Sequence, residues 1–317
     1  MTGTAPGRAV RRPWRAVDGI VLLDKPSGLS SNHALQRVRR ALAAAKGGHA
    51  GTLDPLATGM LPLCFGRATN ACGPLLGSRK AYRADLALGR ATATGDAEGA
   101  VTLERPVPAL DEGIIDAALG RFRGEIDQVP PMHSAIKVDG RPLYERARRG
   151  ENVPRAARRI VIGRLECVGL GPDRLAFEVE CSKGTYVRVL GEEIAAALGT
   201  CGHLAALRRL WVEPFDPADM VTLDAIEAWA AAGGDDPRGE RWWLPSDRAY
   251  PGLPRVDLDD TQARHLAQGR VLAAPVLDPA GGPARAYAPD GTFLGLVEPV
   301  PDGGLRVLRL FVGPPEA

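Results

Sequence analysis

"GHAGTLDPLATGMLP", residues 48–62, holds one acidic residue, Asp54, in a chain that has 38. Around it stand glycine, proline, threonine and small apolar residues. Gly51 and Gly59 allow close backbone approach and Pro55 withholds a backbone donor, so the stretch is expected to be a loop whose constrained turn presents a single carboxylate. Such a turn suits a positioned reactive group. An aspartate that caps a helix or closes an Asx turn has the same local signature, and both readings stand at this level.

Upstream, "GIVLLDKP" (19–26) is a short apolar run stopped by Pro26 and Gly28, the pattern of a buried strand. Ser30 or Ser31 can cap a helix through about Ala45 with Leu35, Val38 and Leu42 on one face. Downstream, "KAYRADLALG" alternates as a strand does, and "DEGIIDAALGRFRG" has helical spacing. "SAIKVDGRPLYERARRG" predicts a strand, a tight turn at Asp139-Gly140 and a basic helix. "RIVIGRLECVGL" and "RLAFEVECS" are strands separated by the turn Gly171-Pro172-Asp173. "KGTYVRVLGEEIAAALG" predicts a loop running into a helix that ends at Gly199, and "LAALRRLWVEPF" another strand. Residues 233–254, rich in glycine, proline and charge, are the expected linker to a final segment of about sixty residues, enough for a small β-barrel.

The five cysteines, Cys64, Cys72, Cys167, Cys181 and Cys201, are odd in number and lack C-x-x-C spacing, and the five histidines form no ligand group, so neither a disulfide framework nor a metal site is expected. Glycine-rich phosphate loops are missing, which lowers nucleotide-cofactor folds. With no apolar stretch near the roughly 20 residues that span a bilayer, the protein is expected to be soluble and cytoplasmic, with no membrane partner. Net charge is only +2, yet residues 137–159 carry eight Lys or Arg against three acids, while residues 213–260 carry twelve acids against four Arg. The first segment can lie against phosphates; the second would be repelled.

"GHAGTLDPLATGMLPLCFGRAT" resembles the catalytic motif of the bacterial tRNA pseudouridine-55 synthases, the TruB family of pseudouridine synthases. The resemblance continues through "LDKPSGLSSN", "KAYRADLALG", "PPMHSAIKVDGRPLYERARRG", "CSKGTYVRVL" and "GHLAALRRL", in order, over some two hundred residues. It implies an α/β chain of the α+β type. The segment 1–17, basic and without an apolar run, is expected from its residues to be a disordered tail. The resemblance places after it a catalytic domain (18–250) on a mixed, antiparallel-rich sheet, with an RNA-gripping segment at about 90–150. A small C-terminal PUA-like β-barrel (251–317) would bind RNA, the loosest part of the match.

By that resemblance the reaction is isomerisation of uridine 55 in the tRNA T loop to pseudouridine, by a monomer without cofactor or guide RNA. Asp54 would be the nucleophile, attacking the ribose or the base. Arg188, in the K-G-T-Y-[IV]-R motif, would hold Asp54 ionised with a two-pronged grip, because a poorly hydrated pocket raises a carboxyl pKa. Tyr82 would be catalytic as well, stacking on the target base and assisting removal of the C5 proton, with stacking the safer role for a phenol of ordinary pKa. Tyr186 and Leu207 would complete the pocket; from the residues alone Tyr82, Tyr186 and Leu207 read as core. His49 would brace the loop emptied by base flipping, and Lys137, Arg141, Arg146, Arg148 and Arg149 would meet the RNA backbone. Two departures stand out: Asn70, where many relatives have Lys, removes a phosphate contact, and His133 replaces a common aromatic. A guide-dependent synthase, an RNA-folding chaperone working through the same groove and an aspartate-nucleophile hydrolase are the competing readings; a chaperone role can also coexist with catalysis.

Overall fold

The computed structural model describes residues 13–134, 136–138, 140–147, 149–151, 153–272, 281–300 and 303–313. The apolar run at the start becomes the strand Gly19–Lys25, with Ile20 to Leu23 fully buried on both faces. Two-sided burial is why it reads as a continuous run and not as an alternation. The helix Ser31–Ala41 follows, capped by Ser30, whose hydroxyl accepts from the His33 amide. It stops short of Ala45. Ala43 turns left-handed, and the Arg15 backbone bonds Ala43 and Ala45, so the N-terminal segment takes up the groups that would have continued the helix.

The loop expected over 48–62 is shorter than its composition implies. Gly47–His49 and Thr58–Phe65 are paired strands, which leaves only 50–57 as the turn around Asp54. Gly59 has φ +95°, and a Cβ there would collide with the Arg209 carbonyl oxygen. A glycine is therefore required where this strand meets the strand Gly202–Val212.

The central sheet runs, by neighbours, through Val221–Thr222, Gly19–Lys25, Thr58–Phe65, Gly202–Val212, Lys80–Leu88, Arg174–Cys181, Arg158–Gly171 and Gly124–Gln128. Only the pairs Gly19–Lys25 with Val221–Thr222 and Thr58–Phe65 with Gly202–Val212 are parallel along this path, so the sheet is mixed and antiparallel-rich. Lys80–Leu88 turns Tyr82, Ala84, Leu86 and Leu88 inward, onto the face covered by the helix Val187–Ala197 through Leu190 and Ile194. The expected strand and basic helix are present in short form, as the strand Lys137–Val138, paired with a second strand Arg141–Pro142, and the helix Leu143–Ala147; Asp139 of the expected turn lies outside the described residues.

Residues 233–254 are not a free linker. Trp243 and Leu244 pair with Val21 and Ile20, and Trp243, 7% exposed, stacks on Phe65 with centroids 6.0 Å apart. Large aromatic burial overrides the glycine, proline and charge around it. Beyond lies a sheet of Arg255–Asp257, Ala284–Tyr287, Phe293–Pro299 and Leu305–Leu310, with the helix Asp260–Ala267 closed by an Asp259/Gln262 capping box. Leu296 and Phe311 share one buried cluster with Ile20, Leu22, Ala68 and Ala71 of the large sheet's side. Asn70 joins the two parts: its amide donates to the Leu310 carbonyl at 2.8 Å, and Arg309 donates to the Asn70 carbonyl.

Candidate active site

The turn carrying Asp54 is clamped from below. The Ser31 hydroxyl accepts from the Leu53 amide at 2.7 Å and donates to the Leu53 carbonyl at 3.0 Å. The Gly28 amide donates to the Pro55 carbonyl at 2.8 Å. Lys25, fully buried, donates to the carbonyls of Pro26, Leu29 and Pro55. Burial pulls its ammonium down to about 8, with Asp54 opposing.

Arg188, in the first turn of the helix Val187–Ala197, reaches Asp54 with one nitrogen, Nε to Oδ2 at 3.0 Å. The two-pronged grip expected from the sequence does not form, because the other two nitrogens are engaged elsewhere. Nη1 donates to the Thr94 carbonyl at 2.6 Å and Nη2 to the His133 carbonyl at 2.7 Å. Nη1 also lies 3.8 Å from Asp96 Oδ2, a second, buried carboxylate, held by the Thr94 hydroxyl and the Glu98 amide. Burial raises the Asp54 carboxyl above its ordinary range; Arg188 and Lys25 oppose the rise and Asp96 adds to it. The Asp54 side chain keeps 37% of its surface open, facing a cleft.

That cleft, about 280 Å³, is lined by Asp54, Tyr82, Tyr186, Arg188 and Leu207, five residues singled out in the sequence, together with Lys80, His133, Ser134 and Arg209. It lies at the small end of the range for small-molecule clefts, of order 300 Å³. Tyr82 is buried on its strand, and burial raises its phenol, as it does that of Tyr186. Gln128 fixes the Tyr186 backbone from both sides, accepting from its amide at 2.8 Å and donating to its carbonyl at 3.2 Å. A larger opening, about 580 Å³, lies between Arg15, Arg67, Trp243 and Phe311, and shares no residue with this cleft.

His49 is not among the lining residues. It sits opposite Leu63 on the short strand Gly47–His49, its Nδ1 buried without a hydrogen-bond partner, and burial and Arg209 both lower its pKa. Arg141, Arg146 and Arg149 also lie outside the lining, Arg141 and Arg149 on the exposed surface, and the side chain of Lys137 is not among the described ones. Arg148 lies outside the described residues. Sequence reasoning missed Lys25, Lys80, Asp96 and Arg209 as parts of the site. Lys25 and Arg209 had a signal, a charge inside an apolar run, in "GIVLLDKP" and "HLAALRRLWV".

Residues 39–187 match the model of the TruB family pseudouridylate synthase N-terminal domain, and residues 188–249 and 253–309 match those of the tRNA pseudouridylate synthase B C-terminal domain and the tRNA pseudouridine synthase II C-terminal region. Curated proteins named tRNA pseudouridine synthase B are similar over almost the whole length. That of Xanthomonas axonopodis pv. citri is 47% identical over 300 residues, 95% of this chain and 96% of that one. The Aromatoleum aromaticum protein is 50% identical over 302 residues, covering 95% and 94%. The chain belongs to the TruB family. As a TruB-family pseudouridine synthase it is an isomerase. Among solved structures, a chain of a Cbf5-Nop10-Gar1 complex superposes with a TM-score of 0.70 over 93% of this chain and 85% of its own length, at 24% identity. That likeness shows a shared fold. No described helix is long and apolar enough to cross a membrane.

Proposed function

We propose that this TruB-family enzyme converts the uridine at position 55 in the T loop of tRNA to pseudouridine, with Asp54 as the nucleophile. Pseudouridine formation breaks the N1–C1′ bond, forms C5–C1′ and moves one proton from C5 to N1, so nothing is gained from a cofactor or from solvent. The observation that carries the reading is the Asp54–Arg188 pair at 3.0 Å in a cleft walled by Tyr82 and Leu207. A carboxylate tied to a buried guanidinium by one oxygen keeps the other for attack, and both routes, at the ribose and at the base, begin from ionised Asp54.

In this reading Tyr82 stacks on the uracil, Leu207 packs against it and Tyr186 closes the pocket wall. Taking the nucleotide out of the T loop costs a few kcal/mol, which stacking and contacts to the RNA backbone offset. His49, outside the cleft, supports the loop left behind, and Arg141, Arg146 and Arg149 lie along the phosphates together with Lys137 and Arg148. Residues 18–250 form the catalytic part and 251–317 add RNA contacts, acting as a cytoplasmic monomer on tRNA without a guide RNA. Incubating the purified protein with unmodified tRNA transcript and mapping pseudouridine by chemical adduct and primer extension tests this reading. One new stop at the T-loop uridine is expected; no stop there, or modification only when a guide RNA is added, contradicts it.

A further inference from the structure

Arg209 is 1% exposed and has no carboxylate partner among the described ion pairs. Burying a guanidinium without an anion is costly, and an apolar side chain of similar length would be the cheaper filler for a core. Its position explains why the charge is there. On the strand Gly202–Val212 it stands opposite Gly59 of the strand that leaves the Asp54 turn and opposite Tyr82 of the strand Lys80–Leu88. Nε donates to the Met60 carbonyl at 2.7 Å and Nη2 to the Gly51 carbonyl at 3.1 Å. Gly51, at φ +101°, leaves room for this approach: a Cβ there would lie 3.3 Å from Nη1.

We propose that Arg209 is a positioning residue of the isomerisation, anchored on the Met60 and Gly51 carbonyls and holding the Tyr82 hydroxyl in place over the cleft. A guanidinium offers only donors, so a phenol beside it presents its oxygen to the cation and turns its proton toward the cleft. The reaction must carry one proton from C5 to N1, and a hydroxyl fixed over the uracil ring can serve that transfer. The charge acts the same way, drawing the phenol toward its ionised form against the effect of burial. Arg209 acts through Tyr82 and touches no reacting atom; the assignment rests on the reading of Tyr82 as the base-stacking residue.

The test is a double-mutant cycle in the full-length protein with Arg209→Met, Tyr82→Phe and the pair, measuring single-turnover rate, tRNA affinity and melting temperature, with Arg209→Lys as the conservative variant. Arg209→Met is expected to lower the single-turnover rate about 100-fold with affinity unchanged, and Arg209→Lys to recover part of the loss. In the Tyr82→Phe background Arg209→Met should cost less than about twofold more. If the two losses multiply, or if affinity and rate fall together, Arg209 is structural and the proposal is overturned. If Tyr82→Phe alone leaves the rate unchanged, the reading of Tyr82 fails first and takes this assignment with it. Should Arg209→Met not fold, Arg209→Lys carries the same cycle, with the same two outcomes.

Discussion

Arg188 holds Asp54 with one nitrogen, Nε, and ties Thr94 and His133 with the other two. The residue thus joins the nucleophile to two separate loops of the segment between Arg90 and Gly150. Lysine keeps the charge, but its donors sit on a single nitrogen and cannot span the three acceptors that the separate nitrogens of the guanidinium reach. Arg188→Lys is expected to fold and bind tRNA yet lose about 100-fold in single-turnover rate, the scale of a displaced reacting group. A wild-type rate would mean that charge alone suffices.

The raised Asp54 carboxyl has two consequences with opposite readouts. Below the ordinary value near 3.8 it is protonated in folded and unfolded chains alike; above it the unfolded chain ionises first, so stability falls between 3.8 and the raised folded value. The acid limb of the single-turnover rate should therefore lie above 3.8, where Asp54 becomes ionised in the folded enzyme. Because Asp96 adds to the rise, Asp96→Asn should move that limb to lower pH. Rate profiles of both proteins check this; a limb that does not move removes Asp96 from the electrostatics of the site.

Trp243 provides a stability test of the corrected linker. Trp243→Ala should destabilise the chain by about 3 to 5 kcal/mol, as expected for a buried aromatic. A loss within about 0.5 kcal/mol in chemical denaturation is what an exposed linker residue would give.

Much of the fold was legible because the relevant signals are local. The runs at 19–25 and 80–88, the serine cap at Ser30 and the turn at Gly171-Pro172-Asp173 each appear where the residues place them. Tyr82, Tyr186, Arg188 and Leu207 were found through family resemblance; residue by residue they look like core or surface. What stayed hidden depends on long-range pairing. Arg209 is internal only because its strand lies between Thr58–Phe65 and Lys80–Leu88, and Asp96 only because its loop packs beside Arg188. Trp243 was obscured by the polar residues around it, although the adjacent pair Trp242 and Trp243 was a signal for burial.

Salt dependence tests the RNA surface. Arg141 and Arg149 are exposed and outside the cleft. Replacing both with Ala should reduce the magnitude of the slope of log affinity against log salt by about 0.7 to 0.9 per lost phosphate contact. Single-turnover rate at saturating enzyme should stay near wild type. An unchanged slope would identify these arginines as an ordinary solvated face.

The most direct test of the central claim is the single-turnover pseudouridine yield of Asp54→Asn, measured with its tRNA affinity and melting temperature. The substitution keeps the size and removes the attacking charge, while Arg188 retains the Thr94 and His133 carbonyls. Affinity should remain near wild type, and the melting temperature at neutral pH should hold or rise, because an amide is easier to bury than a carboxylate. Yield should fall below detection. A folded Asp54→Asn protein that binds tRNA and forms pseudouridine at the wild-type rate would contradict the account.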